Sequence, residues 1–124
     1  PFTLVMKNNL CDAYKLYGDR KSTKLLSEIL LRFKEEAERR GNLPLVVVIP
    51  QLLDLKLNKN KSVPYQGYFC EFAKHVPMLD FTEKFINKEY EKLYINDQYG
   101  GHLSVDGNCL VAQGISNWLN SSMK

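Results

Sequence analysis

Between Pro44 and Pro50 the chain runs Leu45-Val46-Val47-Val48-Ile49, an unbroken apolar stretch dominated by β-branched residues. A strand that does not alternate has no face suited to water, so it needs cover on both sides, as in a parallel sheet flanked by helices. The segment before it predicts one such helix over Thr23–Arg40. There Leu26, Ile29, Leu30, Phe33 and Ala37 recur at helical spacing, Ser22 or Thr23 stands where a cap belongs, and Arg39-Arg40-Gly41 suits the end. Helix followed by buried strand is the grammar of an α/β protein.

The pattern recurs downstream. Tyr65–His75 reads as a helix, Val76–Asp80 as a short strand ending in a carboxylate, and Thr82 as the cap of a helix reaching Tyr90. A last helix is expected over Val105–Leu119, with Val111, Ala112, Ile115, Trp118 and Leu119 on one stripe and Ser104 or Asp106 at its start. Near the beginning, Phe2–Met6 reads as a short strand or the end of one, and Leu10–Tyr17 as a short helix closed by Gly18. The expected order is (β)α–α–β–α–β–α–loop–α, within a single domain over residues 1–124. Two clear strands make a thin sheet, so a completed fold calls for more strands than these. The opening Pro1-Phe2-Thr3, with no initiator Met and no signal-like segment, likewise reads as part of something longer.

Composition excludes several classes. The longest apolar runs fall far short of the roughly 18 residues that a bilayer-crossing helix requires. Residues 1–62 carry 12 basic and 7 acidic side chains while residues 63–124 carry 5 and 7. Much of that charge, Arg32, Lys34, Glu35, Glu36, Glu38, Arg39 and Arg40, reads as the mixed solvated face of one helix, so no nucleic-acid partner is expected. Cys11, Cys70 and Cys109 are odd in number, widely spaced and outside any CxxC pair, which points neither to a disulfide framework nor to zinc but to small buried hydrophobes.

The stretch richest in chemistry is Tyr94-Ile95-Asn96-Asp97-Gln98-Tyr99-Gly100-Gly101-His102, read as a polar loop before the last helix. A histidine held by a glycine-rich turn, with a carboxylate five residues back, has the makings of a general base and its orienting acid. On spacing alone, a histidine beside a helix start is more often a structural hydrogen-bonder. His75, beside Val76-Pro77, suits a helix end, and Asp80 suits a cap for the Thr82 helix. Tyr65, Tyr68, Phe69 and Phe72 at helical spacing suit a core, as does Trp118. Asp54, Lys56, Lys59 and Lys61 fall in a polar connection after Pro50.

Three blocks, in this order, resemble the C-terminal half of an SGNH/GDSL-type hydrolase over roughly residues 22–120. They are Val46-Val47-Val48-Ile49-Pro50, Met78-Leu79-Asp80-Phe81-Thr82, and Gly101-His102-Leu103-Ser104-Val105-Asp106-Gly107-Asn108 with Leu110-Val111-Ala112. The last block is the specific one. The resemblance implies a flavodoxin-like three-layer α/β/α fold with a parallel sheet, and ester hydrolysis or acyl transfer by a serine, oxyanion-hole donors and a histidine. It makes His102 the general base. The family's supporting Asp usually stands three residues before that His, where this chain has Tyr99, and the nearest carboxylate is Asp97. Either Gly100-Gly101 bulges so that Asp97 reaches His102, or a backbone carbonyl orients the imidazole.

The family's nucleophile and oxyanion blocks do not occur in these residues. Asn8-Asn9 lacks the flanking Gly and Asp of such a block, and the serines, from Ser22 to Ser122, read as caps, loop and helix-surface residues. The resemblance therefore implies a nucleophile upstream of Pro1, an ester or acyl substrate, and neither cofactor nor metal, since the chemistry needs only protein groups. The alternative is a non-catalytic α/β binding module on a degenerate hydrolase scaffold. Apolar surface left by missing strands also makes self-association an expectation.

Overall fold

Asp19 starts the longest helix. Its Oδ2 accepts the Ser22 backbone N–H at 2.8 Å and the Ser22 hydroxyl at 2.6 Å, which pulls the Asp19 carboxyl below the usual carboxylate range. The cap thus stands before Ser22 and Thr23, the residues that the spacing singles out. A computed structural model describes residues 2–58, 62–97 and 100–122, without the side chains of residues 2, 3, 96, 97 and 100. The elements in chain order are helices α1 (Phe2–Leu16) and α2 (Arg20–Arg39), strand β1 (Val46–Val48), helices α3 (Leu52–Leu57) and α4 (Gln66–Phe72), strand β2 (Met78–Asp80), helix α5 (Thr82–Ile86), a 3₁₀ turn (Tyr90–Leu93), strands β3 (Tyr94–Asp97) and β4 (Gly100–Leu103), and helix α6 (Val105–Ser122). Among the described residues the protein is mixed α and β, mostly helical, and its strands make two separate two-stranded sheets, β1 with β2 and β3 with β4. Two compact units divide the chain, residues 1–47 with 62–78 and residues 48–61 with 79–124.

In the first unit, the expected strand at Phe2–Met6 is absent and α1 runs on through it. Neither Gly nor Pro interrupts residues 2–17, so once a turn has formed nothing stops the helix before Gly18. At its far end α2 closes with Gly41 at φ 72°, a left-handed conformation that glycine adopts without penalty. Gly41 N–H then reaches Glu38 O and Asn42 N–H reaches Ala37 O, both at 2.9 Å, the paired bonds of a Schellman cap. No residue of α2 is fully buried, and Ile29 and Phe33, expected inside, are about half exposed at 56% and 45%. The half-buried side instead runs through Thr23, Leu26, Ser27, Leu30 and Ala37. Ser27 Oγ and the Tyr68 hydroxyl share a hydrogen bond of 2.9 Å between α2 and α4. Around it Tyr17, Tyr65, Tyr68, Phe69 and Phe72 form a ring cluster with centroids 5.2–5.9 Å apart. The aromatic spacing read as core does pack, with Tyr65 and Phe72 buried.

β1 begins in this unit with Val46 N–H bonded to Pro77 O at 2.9 Å, and beyond it Phe81 N–H is bonded to Val48 O at 3.0 Å. Partner numbers rise together, so β1 and β2 run parallel. Burial on both faces is not realised: all three residues of β1 are half-buried and Ile49 is exposed. In a sheet of two strands each strand is an edge, which no second neighbour covers.

The second unit has the denser core. Phe81, Phe85, Leu55, Thr82 and Pro50 have less than 2% of their surface exposed, and the Phe85 ring lies 6.4 Å from Phe81 and 5.7 Å from Tyr94. The segment after Pro50, expected as a polar connection, is helix α3, with Leu52 and Leu55 buried. Lys59 and Lys61 lie outside the described residues. Asp80 Oδ1 accepts the Thr82 N–H at 2.8 Å, so Asp80 caps α5 while Thr82 itself is buried. α5 ends at Ile86, and Tyr90 belongs to the 3₁₀ turn, with Asn87, Lys88 and Glu89 breaking the run between them. The last helix starts at Val105 as expected and extends three residues further, to Ser122.

The cysteines contradict their reading as buried: Cys11, Cys70 and Cys109 are free and exposed. Cys109 shows why, since on α6 the buried positions are Gly107 and Val111, and a residue midway between them points about 200° away from each. Among the described residues no helix is long and apolar enough to cross a membrane.

Candidate active site

The polar stretch before α6 is not a loop. β3 and β4 pair antiparallel with Tyr94 opposite Leu103, Ile95 opposite His102, Asn96 opposite Gly101 and Asp97 opposite Gly100. Side chains alternate along a strand, so this register puts positions 94, 96, 101 and 103 on one face and 95, 97, 100 and 102 on the other. Burial follows the same division where side chains are described. Tyr94 is buried and Leu103 half-buried, whereas Ile95 and His102 are exposed.

The hairpin is fastened at its inner face and at its junction with α6. The Tyr94 hydroxyl donates to Pro50 O at 2.5 Å, just before α3. Burial, with a smaller contribution from the charge of Asp54, pushes the Tyr94 phenol above the usual tyrosine range, so it stays a donor. Asp54 is 3% exposed, and its Oδ2 accepts Gln51 N–H at 2.7 Å, supplying a partner to a donor that the helix start leaves unpaired. At the other end of the hairpin, Ser104 N–H reaches Leu93 O at 2.9 Å and Ser104 Oγ donates to Lys92 O at 2.7 Å. The same Oγ accepts Gly107 N–H at 3.2 Å, and Asn108 Nδ2 turns back to Ser104 O at 3.0 Å, which together start α6. Gly107 is forced: a Cβ there would stand 2.3 Å from Leu93 O.

Ser104, Gly107 and Asn108 of the Gly101–Asn108 block are therefore accounted for by the hairpin's junction with α6. His102 sits on the outer face, three residues before α6. Asp97 shares that face by register, one diagonal step from His102 across the ladder, a separation of about 7–8 Å between backbones in such sheets. The Asp97 side chain, and Tyr99 at the usual position of the family's Asp, lie outside the described residues. His75 does not join them. It is exposed in the turn after α4, its ring 5.8 Å from Phe72, and belongs to the first unit. Asp80 is occupied as a helix cap.

Tyr94, Leu52 and Asp54 are the residues that sequence reasoning missed. Asp54 had a readable signal, an acidic residue three places after a helix-starting Gln51. Tyr94 had none, because its partner is a carbonyl 44 residues away. Comparison with family models, curated proteins and solved structures returned no match, so no family is assigned to the chain. The arrangement offers one exposed imidazole on an anchored strand, with a carboxylate position on the same face, which suits proton transfer to and from a group brought from outside.

Proposed function

We propose that these residues are the C-terminal portion of an SGNH-like ester hydrolase or acyltransferase, and that they supply the general base to a serine nucleophile carried upstream of Pro1. In this reading β1 and β2 are neighbouring strands of a wider parallel sheet within a flavodoxin-like α/β/α fold. His102 takes the proton of the serine hydroxyl as that oxygen attacks the ester carbonyl. It returns the proton to the leaving alkoxide as the tetrahedral intermediate collapses to an acyl-serine. Water or an acceptor hydroxyl then attacks the acyl-serine, His102 accepting its proton and passing it to the departing serine oxygen. Asp97 is the carboxylate that orients the imidazole and stabilises its charged form.

What carries the reading is the outward placement of His102 on a strand held from its other face, with position 97 on its own side. A base that serves a nucleophile from another segment must be exposed and must be fixed. Intact-mass analysis after fluorophosphonate treatment tests it, run on this chain and on the longest natural polypeptide containing it. The expected adduct appears on the longer form alone, and His102→Ala lowers its ester turnover by about 10²–10⁴-fold. An adduct on neither form assigns the chain to the non-catalytic binding module instead. Turnover that survives His102→Ala removes His102 from the mechanism.

A further inference from the structure

Gly101 stands on the inner face of β4, directly before His102. A Cβ added there would lie 2.8 Å from Leu52 Cβ, 3.1 Å from Leu52 Cδ2 and 3.2 Å from Tyr94 Cδ1. Carbon atoms in contact prefer about 3.5–4.0 Å, so the first of these distances demands movement. A Cδ atom can rotate aside, but Leu52 Cβ is bonded directly to the α3 backbone and cannot. Any side chain at position 101 must therefore lift β4 from α3 or displace α3 itself. His102 is the next residue along β4, and a lifted strand carries the imidazole with it.

Tyr94 closes the same junction from β3. Its ring walls the space beside Gly101, and its hydroxyl holds Pro50 O at 2.5 Å. Residues 50–52 thus fasten both strands of the hairpin, β3 through Pro50 and β4 through Leu52. We infer that Gly101, with Tyr94, is a positioning residue for His102: the missing side chain lets β4 seat on α3, and the depth of that seat sets where the imidazole stands toward the nucleophile. This rests on the reading of His102 as general base, and a misplacement of about 1 Å in such a group costs on the order of 100-fold in rate.

The test compares Gly101→Ala and Tyr94→Phe with Phe72→Leu, a core change in the other unit, in the longest natural polypeptide containing these residues. All are assayed at a temperature where circular dichroism shows each to be folded. Gly101→Ala is expected to lower kcat for ester turnover about 10- to 100-fold with KM within about twofold, and Tyr94→Phe to act in the same direction but less. Phe72→Leu leaves kcat within about twofold. In parallel, the ring Cε1–H resonance of His102 is followed by NMR across a pH titration, and Gly101→Ala is expected to shift it while Phe72→Leu does not. Unchanged kcat together with an unmoved His102 resonance in Gly101→Ala overturns the inference. If the unsubstituted protein turns over no ester and takes no fluorophosphonate, the catalytic reading fails and the resonance alone decides: a shift confined to Gly101→Ala and Tyr94→Phe upholds the positioning, and its absence overturns it.

Discussion

The two units bury their apolar residues by different means. In the first, α1 and α2 leave Leu4, Val5, Leu16, Leu25 and Ile29 each more than half exposed, and packing concentrates in a ring cluster around Tyr17 and α4. In the second, short elements of four to six residues together with α6 surround Phe81, Phe85 and Leu55, whose side chains are sealed from water. Length and regularity of an element therefore do not foretell its burial. The 20-residue α2 has no buried residue, whereas six-residue α3 has three. A long helix closes most of its backbone bonds by itself, but a helix of one or two turns persists only through what it packs against.

The largest test of this contrast is Phe85→Ala, which empties a site with 0% exposure and removes ring contacts to Phe81 and Tyr94. It should cost about 3–5 kcal/mol, seen as lost hydrogen-exchange protection in residues 79–124. Equal loss from Ile29→Ala would erase the distinction between the units. Next is Gly107→Ala. Helix propensity favours alanine by up to about 1 kcal/mol, yet a Cβ 2.3 Å from Leu93 O is a backbone clash, and overpacking of this kind costs about 1–3 kcal/mol or more. Net destabilisation in urea titration is the expected outcome, and stabilisation would show that the start of α6 can yield.

A smaller effect depends on pH. The Tyr94 phenol is raised above its value in the unfolded chain, near 10, chiefly by burial. The unfolded chain loses this proton first, so the contribution is intact below about pH 10 and is lost as pH rises toward the folded-state value. Between pH 8 and 11 the protein should lose stability more steeply than Tyr94→Phe, measured by urea midpoints. Parallel curves would mean that the phenol is not sealed. Last, Leu25→Ala on the open side of α2 should change stability by no more than about 0.5 kcal/mol.

The elements legible in the sequence are those whose signals are local. α2 and α6 announce themselves through periodicity and flanking caps, β1 through its β-branched run, and β2 through a strand that ends in Asp80. The parallel pairing of β1 with β2 follows from the intervening helices. α1 is helical over Leu10–Leu16 as its sequence predicts, but its first part reads as a strand because a short apolar run such as Phe2–Met6 is as good a strand as a helix. The hairpin escaped because its buried face is set by Tyr94 and Leu103 alone among the described side chains, with Gly100 and Gly101 between them in sequence, a pattern that looks like turn chemistry. For the site, sequence nominated His102 and Asp97, and the register adds that positions 97 and 102 lie on the same side of the ladder. The devices that hold that face, Tyr94 on Pro50 and Gly101 on Leu52, join residues about fifty positions apart, a distance over which no local rule operates.

The alternation of β4 also governs which changes of length this chain can absorb. Deleting one residue between Gly101 and the start of α6, with α6 still anchored at Leu93, would exchange the two sides of the strand and turn His102 toward Leu52. Inserting two residues after His102 would keep the sides and only lengthen the strand. Variation in this segment is thus a matter of parity, and relatives that keep the outward histidine should differ here by even numbers of residues.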